Sequence, residues 1–312
     1  MAIQSNQLSR YSSDRAMKII VIGSANMDMV VQTSRIPEMG ETIRGNGFFL
    51  SAGGKGANQA VACAKMGADT WFLAKVGDDI FGQSLMDSLA GFGVHTDLIK
   101  VEPGVNTGIA AITVCEGNNS IILDGGANNK VTPAYIQSYR EELLSAKAIM
   151  LQLEIPIETV YEAIHLVKGK VPIFLNPAPA VPIEDAILQG VDYFTPNEIE
   201  CRLYTEVDVK SIDDAFNALN ILRAKGIRYP LVTLGERGLV YFNGTDNVYK
   251  EGRKVETVDT TAAGDTFSGT LAAMIIAGKT IDEAVDMAQH ASSIAVTRLG
   301  AQSGIPYLSE IV

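Results

Sequence analysis

Residues 17–28 read Met-Lys-Ile-Ile-Val-Ile-Gly-Ser-Ala-Asn-Met-Asp, "MKIIVIGSANMD". Ile19, Ile20, Val21 and Ile22 put apolar side chains on both faces of an extended segment. Such a strand needs cover above and below, as in a mainly parallel sheet. The pattern returns in "WFLAKVG" (71–77), "AIMLQLE" (148–154), "VPIFLNP" (171–177), "VDYFTPN" (191–197) and "YPLVTLG" (229–235). Helix-length segments lie between several of them, at residues 58–67, 81–93, 157–168 and 212–225. Two consecutive helices, over 264–278 and 281–298, end the chain. Buried strands alternating with helices predict an α/β fold with a central, mainly parallel sheet flanked by helices.

Two regions break this rhythm. Residues 29–51 are extended and interrupted by Pro37 and Gly40, and residues 107–125 hold two strand-like runs around Glu-Gly-Asn-Asn, a hairpin. Together they predict a small β-sheet standing off the main domain, either a lid, a dimer contact or a bare β-extension. Residues 1–16 are polar and are expected to form a disordered leader. One α/β domain is expected over 17–312, with lid segments at about 29–51 and 107–125.

The formal net charge of −11 over 312 residues argues against nucleic acid or an anionic membrane as the main partner. It leaves room for a local site that takes an anionic small molecule. Three scattered cysteines, Cys63, Cys115 and Cys201, imply no disulfide framework and suggest a reducing cytoplasm. No run of eighteen apolar residues marks a membrane helix. His95, His165 and His290 lack zinc-ligand spacing with the cysteines, and no G-x-S-x-G hydrolase motif occurs.

The turn after the first strand lacks the G-x-G-x-x-G of dinucleotide binders and offers Asn26 and Asp28 instead. Spaced two apart on an extended segment, they share a face and suit a polyol such as a sugar, although both are also ordinary turn residues. Gly53-Gly54-Lys55-Gly56-Ala57-Asn58 opens a helix without P-loop spacing. Its glycines either admit a ligand to the backbone or let the helix pack closely. Glu154 follows an apolar strand and needs a partner, whether a sugar hydroxyl, a metal-bound water, a helix end or a salt bridge. Asn197 and Glu200 have capping spacing, with phosphate and hydrated magnesium as the functional alternative. Thr233-Leu234-Gly235-Glu236-Arg237-Gly238 is either a turn or a loop running along a nucleotide.

"VDTTAAGDTFSGT" (258–270) is the most telling stretch. A helix starting near Ala263 exposes the N–H groups of Ala263, Gly264 and Asp265 and carries about half a positive charge there. Such an end holds a phosphoryl group in transfer, while Asp265 accepts the proton of an attacking hydroxyl. An acid favoured by the helix dipole is the plainer alternative.

Taken in order, "GSANMD", "GGKGANQA", "QLE", "NPAPA", "TPNE", "TLGERG", "DTTAAGDTF" and "AVTRLGAQ" resemble the phosphofructokinase-B family of carbohydrate kinases over residues 17–305, and within it the ribokinase group. The resemblance implies a ribokinase-like three-layer fold with a β-sheet lid. It also implies ATP-dependent phosphorylation of D-ribose at the 5-hydroxyl, with 2-deoxyribose, another pentose, a ketohexose or a nucleoside as alternative substrates. A sugar sensor without catalysis would have lost the base or the anion hole, and neither is lost. By the same resemblance Asn26, Asp28, Gly54, Lys55, Gly56, Ala57, Asn58 and Glu154 bind sugar. Asp265 is the base, with Ala262, Ala263 and Gly264 in the anion hole. Asn197, Thr233 through Gly238, Gly264 and Gln289 contact nucleotide, and Glu200 faces the water shell of Mg2+. Asp259, Thr261, Ala295, Arg298, Gly300 and Gly304 would hold an activating K+, oxygen ligation suiting a hard cation. Gln289 stands where histidine or asparagine is common, beside His290, and Gly304 where serine is common, beside Ser303. A homodimer through the lid sheet is expected.

Overall fold

Strand β1 (Lys18–Ile22) sends Ile19 and Val21 into the core on one face of the sheet and Ile20 and Ile22 into the core on the other. All four are fully buried, which places β1 in the middle of the molecule. The computed structural model describes residues 17–115 and 118–312. The expected leader lies outside the described residues, as do Glu116 and Gly117 of the expected hairpin turn.

From β1 the chain crosses residues 23–25 into β2 (Asn26–Gln32), returns as β3 (Gly47–Gly53) and turns into helix α1 (Lys55–Lys65). Next, β4 (Asp69–Gly77), α2 (Ile80–Gly91) and β5 (Ile99–Glu102) build the main sheet outward on one side of β1. β6 (Gly108–Cys115) and β7 (Asn118–Asp124) then go back to join β2 and β3. After α3 (Pro133–Ser138) and α4 (Arg140–Ser145), β8 (Ala148–Leu151) pairs with the other side of β1. The sheet grows that way through α5 (Ile157–Val167), β9 (Ile173–Leu175), α6 (Asp185–Leu188), β10 (Tyr193–Phe194), α7 (Glu198–Thr205), α8 (Ile212–Ala224) and β11 (Tyr229–Thr233). β12 (Leu239–Phe242) and β13 (Asn247–Lys250) finish that edge, and α9 (Ala263–Ile276), α10 (Ile281–Ala295) and the short α11 (Ala301–Gly304) follow.

The main sheet has nine strands in the order β13-β12-β11-β10-β9-β8-β1-β4-β5. It is parallel from β11 to β5, with β12 and β13 forming an antiparallel edge. Helices α1 and α9 share the core on the Ile19 face, and α5, α7 and α8 that on the Ile20 face. The direction of growth reverses between β1 and β8. Ligands of open α/β sheets gather at such a switch point, beyond the carboxyl ends of the strands. The residues leaving those ends here are Ser24–Asp28, Gln152–Glu154, Asn176 and Thr195–Asn197.

The second sheet, ordered β3-β2-β6-β7, starts earlier than the expected position 29. Asn26 already pairs with Gly53 and Gly108, so Asn26 and Asp28 lie within β2, on one face of it. Its outer strands leave large apolar side chains exposed, among them Phe48, Phe49, Ile121 and Ile122. In the main sheet β8 and β10 are shorter than their apolar runs, and the residues just beyond them, Gln152 and Thr195, make buried side-chain contacts. β5, β13 and the short helices α3, α4 and α6 were not expected from the sequence pattern.

Candidate active site

Helix α1 has no acidic residue in its first turn and no side-chain cap at Gly54. Its positive end is met from β8 instead. Glu154 Oε2 accepts the Lys55 N–H at 3.0 Å and the Ser24 hydroxyl at 2.6 Å. The helix-end alternative for Glu154 is therefore realised across the chain, and it fixes that carboxylate at the switch point. The glycines also have a packing reason. A Cβ at Gly54, whose φ is 90°, would stand 2.8 Å from Asn26 N, and one at Gly56 would stand 2.6 Å from Ser24 N. Without side chains at both positions, α1 starts directly against the turn that carries Asn26.

Asn26 is buried, and its Oδ1 accepts from Asn128 Nδ2 at 2.7 Å. Asn128 also clamps both backbone groups of Ala25. Asp28, two residues along β2, lies against Gly53, where a Cβ would meet its Oδ2 at 2.3 Å. Burial, and then the negative charges of Glu154 and Asp265, push the Asp28 carboxyl up to about 7.

Helix α9 begins at Ala263, after Ala262 in the left-handed region at φ 60°. The bond from Thr266 N–H to the Ala262 carbonyl, 2.8 Å, opens the helical ladder and leaves the N–H groups of Gly264 and Asp265 ahead of it. The expectation for Ala263 needs correction. Its N–H donates to the Thr260 carbonyl at 3.2 Å, because the left-handed turn at Ala262 folds the chain back on itself. Asp265 is 6 % exposed. Asn58 Nδ2 donates to its Oδ2 and Gln59 Nε2 to its Oδ1, each at 3.0 Å. Lys55 brings the counter-charge. Burial alone would draw its ammonium down, but Asp265, Glu154 and Glu200 outweigh burial and raise it.

Asn197 caps α7 in a reciprocal box with Glu200. Asn197 Oδ1 accepts the Glu200 N–H at 2.8 Å, and Glu200 accepts from Asn197 N and Nδ2. Burial raises the Glu200 carboxyl, opposed by the Asn197 N–H and Lys55 and assisted by Asp265. Asn197 bridges to Thr233, so the starts of two expected nucleotide segments touch. The single turn Gly235–Arg237 follows Leu234. Arg237 is engaged within the protein, by Glu198 and by the Lys210 carbonyl at 2.8 Å, so its guanidinium anchors the loop. At Gly238 a Cβ would meet the Lys250 carbonyl at 2.0 Å, and Gln289 on α10 donates to the Glu251 carbonyl at 2.9 Å. Thr233–Gly238 and Gln289 thus converge on residues 250–251. Ser292, three residues beyond Gln289, donates to the Ala263 carbonyl and ties α10 to the start of α9.

Asp259 accepts from Thr261 N and Gly300 N at 2.9 and 3.0 Å. Burial pushes this carboxyl upward, but the bonds from Thr261 and Gly300 outweigh it and hold it low. A Cβ on Gly304 would stand 3.4 Å from the Ala295 carbonyl oxygen and 3.7 Å from that of Arg298. Gly304 therefore faces these oxygens, while Ser303 donates to Leu299.

A cavity of about 260 Å³ opens between Asn26, Asp124, Asn128, Glu154 and Pro179, below the roughly 300–1,000 Å³ usual for drug-sized ligands and apt for a small one. Another, of about 380 Å³, is lined by Tyr193, Tyr229 and Ile275. Those residues begin β10 and β11 and lie at the end of α9, away from the clustered carboxylates. The smaller cavity carries Asn26 and Glu154 of the expected site residues, while Asp28, Lys55, Asn58 and Asp265 lie outside its lining. Ser24, Gln59, Asn128 and Asn176 join the site without having been singled out. Ser24 and Asn176 lie within the quoted "GSANMD" and "NPAPA", and the signal for Gln59 was a pair of amides in the otherwise apolar run "ANQAVACA".

The model of the pfkB family carbohydrate kinases matches residues 16–308. The chain is 39 % identical over 295 residues to the ribokinase of Bacillus subtilis, covering 94 % of this chain and 97 % of that one. It is 36 % identical over 297 residues to the deoxyribokinase of Salmonella typhimurium, at 94 % and 97 % coverage. Among solved structures, Arabidopsis thaliana ribokinase complexed with ribose and ATP superimposes with a TM-score of 0.88 at 32 % identity, covering 95 % and 98 % of the two chains.

Proposed function

The chain belongs to the pfkB family of carbohydrate kinases, and we propose that it transfers the γ-phosphate of ATP to the 5-hydroxyl of D-ribose, giving D-ribose 5-phosphate and ADP. One observation carries this reading. Asp265 stands at the start of a helix with the free N–H groups of Gly264 and its own backbone, close enough to Asp28, Lys55 and Glu200 for their charges to act on one another. A carboxylate beside N–H donors is what phosphoryl transfer to an alcohol needs. The carboxylate takes the proton as the hydroxyl oxygen bonds to phosphorus, and the donors hold the negative oxygens of the group in flight while the bond to ADP breaks.

In this reading Asn26, Asp28, Asn58, Glu154 and the backbone of Gly54–Ala57 bind the sugar hydroxyls. Asn58 Oδ1 is buried with no partner among the described residues, an acceptor suited to a hydroxyl. Lys55 sits between the carboxylates and neutralises charge at the transfer point. The N–H groups of Gly264 and Asp265 form the anion hole, and the turn at Ala262 and Ala263 sets them in place. Asn197, Thr233, Leu234, Gly235, Glu236, Gly238, Gly264 and Gln289 line the nucleotide, with Arg237 fixing the loop.

Magnesium comes with ATP and offsets charge on the phosphate oxygens. Glu200 fits its hydrated surroundings, since both of its oxygens retain lone pairs after accepting from Asn197. For potassium we assign the carbonyls of Ala295 and Arg298, which lie beside Gly304, together with oxygens of Asp259, Thr261 and Gly300, since oxygen ligation suits a hard cation. The second sheet serves as a lid, and its exposed Phe48, Phe49, Ile121 and Ile122 are covered by a second copy, giving a homodimer detectable by light scattering. None of the described helices is long and apolar enough to cross a membrane, and we place the enzyme in the cytoplasm.

The test is ADP release from a sugar panel with and without potassium. D-ribose should give the highest kcat/KM, and potassium should raise it. A clear preference for 2-deoxyribose, a ketohexose or a nucleoside contradicts the substrate assignment. Indifference to potassium contradicts the cation site.

A further inference from the structure

A chain of buried side-chain amides crosses the carboxyl ends of β10, β9 and β8 and ends on Asp265. Asn176 Nδ2 donates to the Thr195 main-chain carbonyl at 3.0 Å. Gln59 Nε2 donates both to Asn176 Oδ1 at 3.1 Å and to Asp265 Oδ1 at 3.0 Å. Gln152 Nε2 donates to Gln59 Oε1 at 2.6 Å. Gln59 and Gln152 are fully buried and Asn176 nearly so.

A side-chain amide can be turned end for end, so its direction needs a cause. Here the cause is a group that cannot turn. The Thr195 carbonyl only accepts, so Asn176 must present Nδ2 to it and Oδ1 to Gln59. Gln59 must then present Nε2 to Asn176, and the second hydrogen of that nitrogen falls to Asp265. Reversing Gln59 would set its oxygen against the Asn176 oxygen and the Asp265 carboxylate together, and its nitrogen against that of Gln152. A ladder of fixed polarity therefore delivers an N–H to one oxygen of Asp265, while Asn58 holds the other.

We propose that Gln59 is the positioning residue of the base. It fixes the plane of the Asp265 carboxylate through an amide ladder anchored on the Thr195 carbonyl and braced by Gln152. The inference rests on the reading of Asp265 as the base. Gln59 is 0 % exposed, so it acts through Asp265 and not on the sugar. Thr195 and Ser268 hydroxyls, 3.1 Å apart, fasten the strand that supplies the anchor to the helix that carries the base. Sheet and base are thereby held in one register, which matters because misplacing a reacting group by about 1 Å can cost about a hundredfold in rate.

The experiment compares kcat–pH profiles and ribose KM for wild type, Gln59→Glu and Gln152→Met. Gln59→Glu keeps the shape and replaces the donated N–H by a second carboxyl. The other charges acting around Asp265, Lys55 of α1, Asp28 of β2 and Glu200 of α7, are unchanged. The acid limb of kcat should move upward by about one pH unit or more, as for two carboxyls sharing a proton, with ribose KM held within about threefold. Gln152→Met removes only the brace and should lower kcat about three- to tenfold at constant KM. If Gln59→Glu does not fold, the Gln152→Met result decides. A wild-type kcat profile in Gln59→Glu, or a loss confined to KM in either variant, overturns the role of Gln59 while leaving the kinase reading intact. A wild type that phosphorylates no sugar overturns both.

Discussion

Ribose affinity should depend on pH through Asp28. The carboxyl is raised to about 7 in the free protein by burial and by the charges of Glu154 and Asp265. Its ionised form accepts charge-assisted hydrogen bonds from two sugar hydroxyls, about twice as strong as those a protonated carboxyl accepts, so ribose binds the ionised form preferentially. The ionised fraction is about one tenth at pH 6 and about nine tenths at pH 8, so ribose affinity should rise by up to about tenfold across that window. The sign follows from the direction of the shift. Raised above its unfolded value of 3.8, the folded carboxyl binds its proton more tightly than the unfolded one, so the free protein loses stability as pH climbs from about 4 to about 7. Ribose, binding the ionised form, should restore stability above pH 7. Calorimetric titration of ribose without ATP reads the effect free of the nucleotide's own ionisation. Near pH 7 binding should release about half a proton, seen as a heat that changes with the ionisation enthalpy of the buffer. Asp28→Asn should abolish the pH dependence and weaken binding by about 1.5–3 kcal/mol. Equal affinity at pH 6 and pH 8, with heats independent of buffer, refutes the reasoning.

Glu154→Gln removes one of the charges that raise Asp28, so the midpoint of the ribose–pH curve should move down; an unmoved midpoint would separate the two groups. The same variant takes a negative charge from the start of α1 and should cost about 1 kcal/mol in denaturant unfolding. Gly54→Ala forces a Cβ to 2.8 Å from Asn26 N at a φ of 90°, and should cost about 1–3 kcal/mol and raise ribose KM. Ala262→Gly occupies a left-handed position without the penalty of about 1–2 kcal/mol carried by Ala, set against glycine's greater unfolded entropy. Its melting temperature should be no lower than wild type, whereas a marked fall would show that Ala262 is not strained.

The main sheet was legible because strands buried on both faces leave unbroken apolar runs, as Ile19–Ile22 do, and because Asp265 combines a helix start with an acid in a small-residue turn. The short helices and β13 were not, since four to six residues carry too little periodicity to read. Glu154 shows a subtler limit: the sequence says that a carboxylate after an apolar strand needs a partner, but not that the partner is the start of a helix 99 residues away. The amides escaped notice for a similar reason. Gln59, Gln152 and Asn176 lie far apart in the chain and acquire meaning only when the strand ends line up and their polarity is traced from Thr195. Ala263 was misread because nothing in the sequence shows that Ala262 turns left-handed and occupies the N–H of its neighbour.

The account depends most on Asp265 taking the proton of the sugar hydroxyl, and Asp265→Asn tests this directly when kcat and ribose binding are measured on the same preparation. Turnover should fall about 10²–10⁴-fold while the ribose dissociation constant stays within about threefold of wild type. Near-normal turnover in that variant would show that the proton leaves by another route and that the start of α9 is not the centre of catalysis.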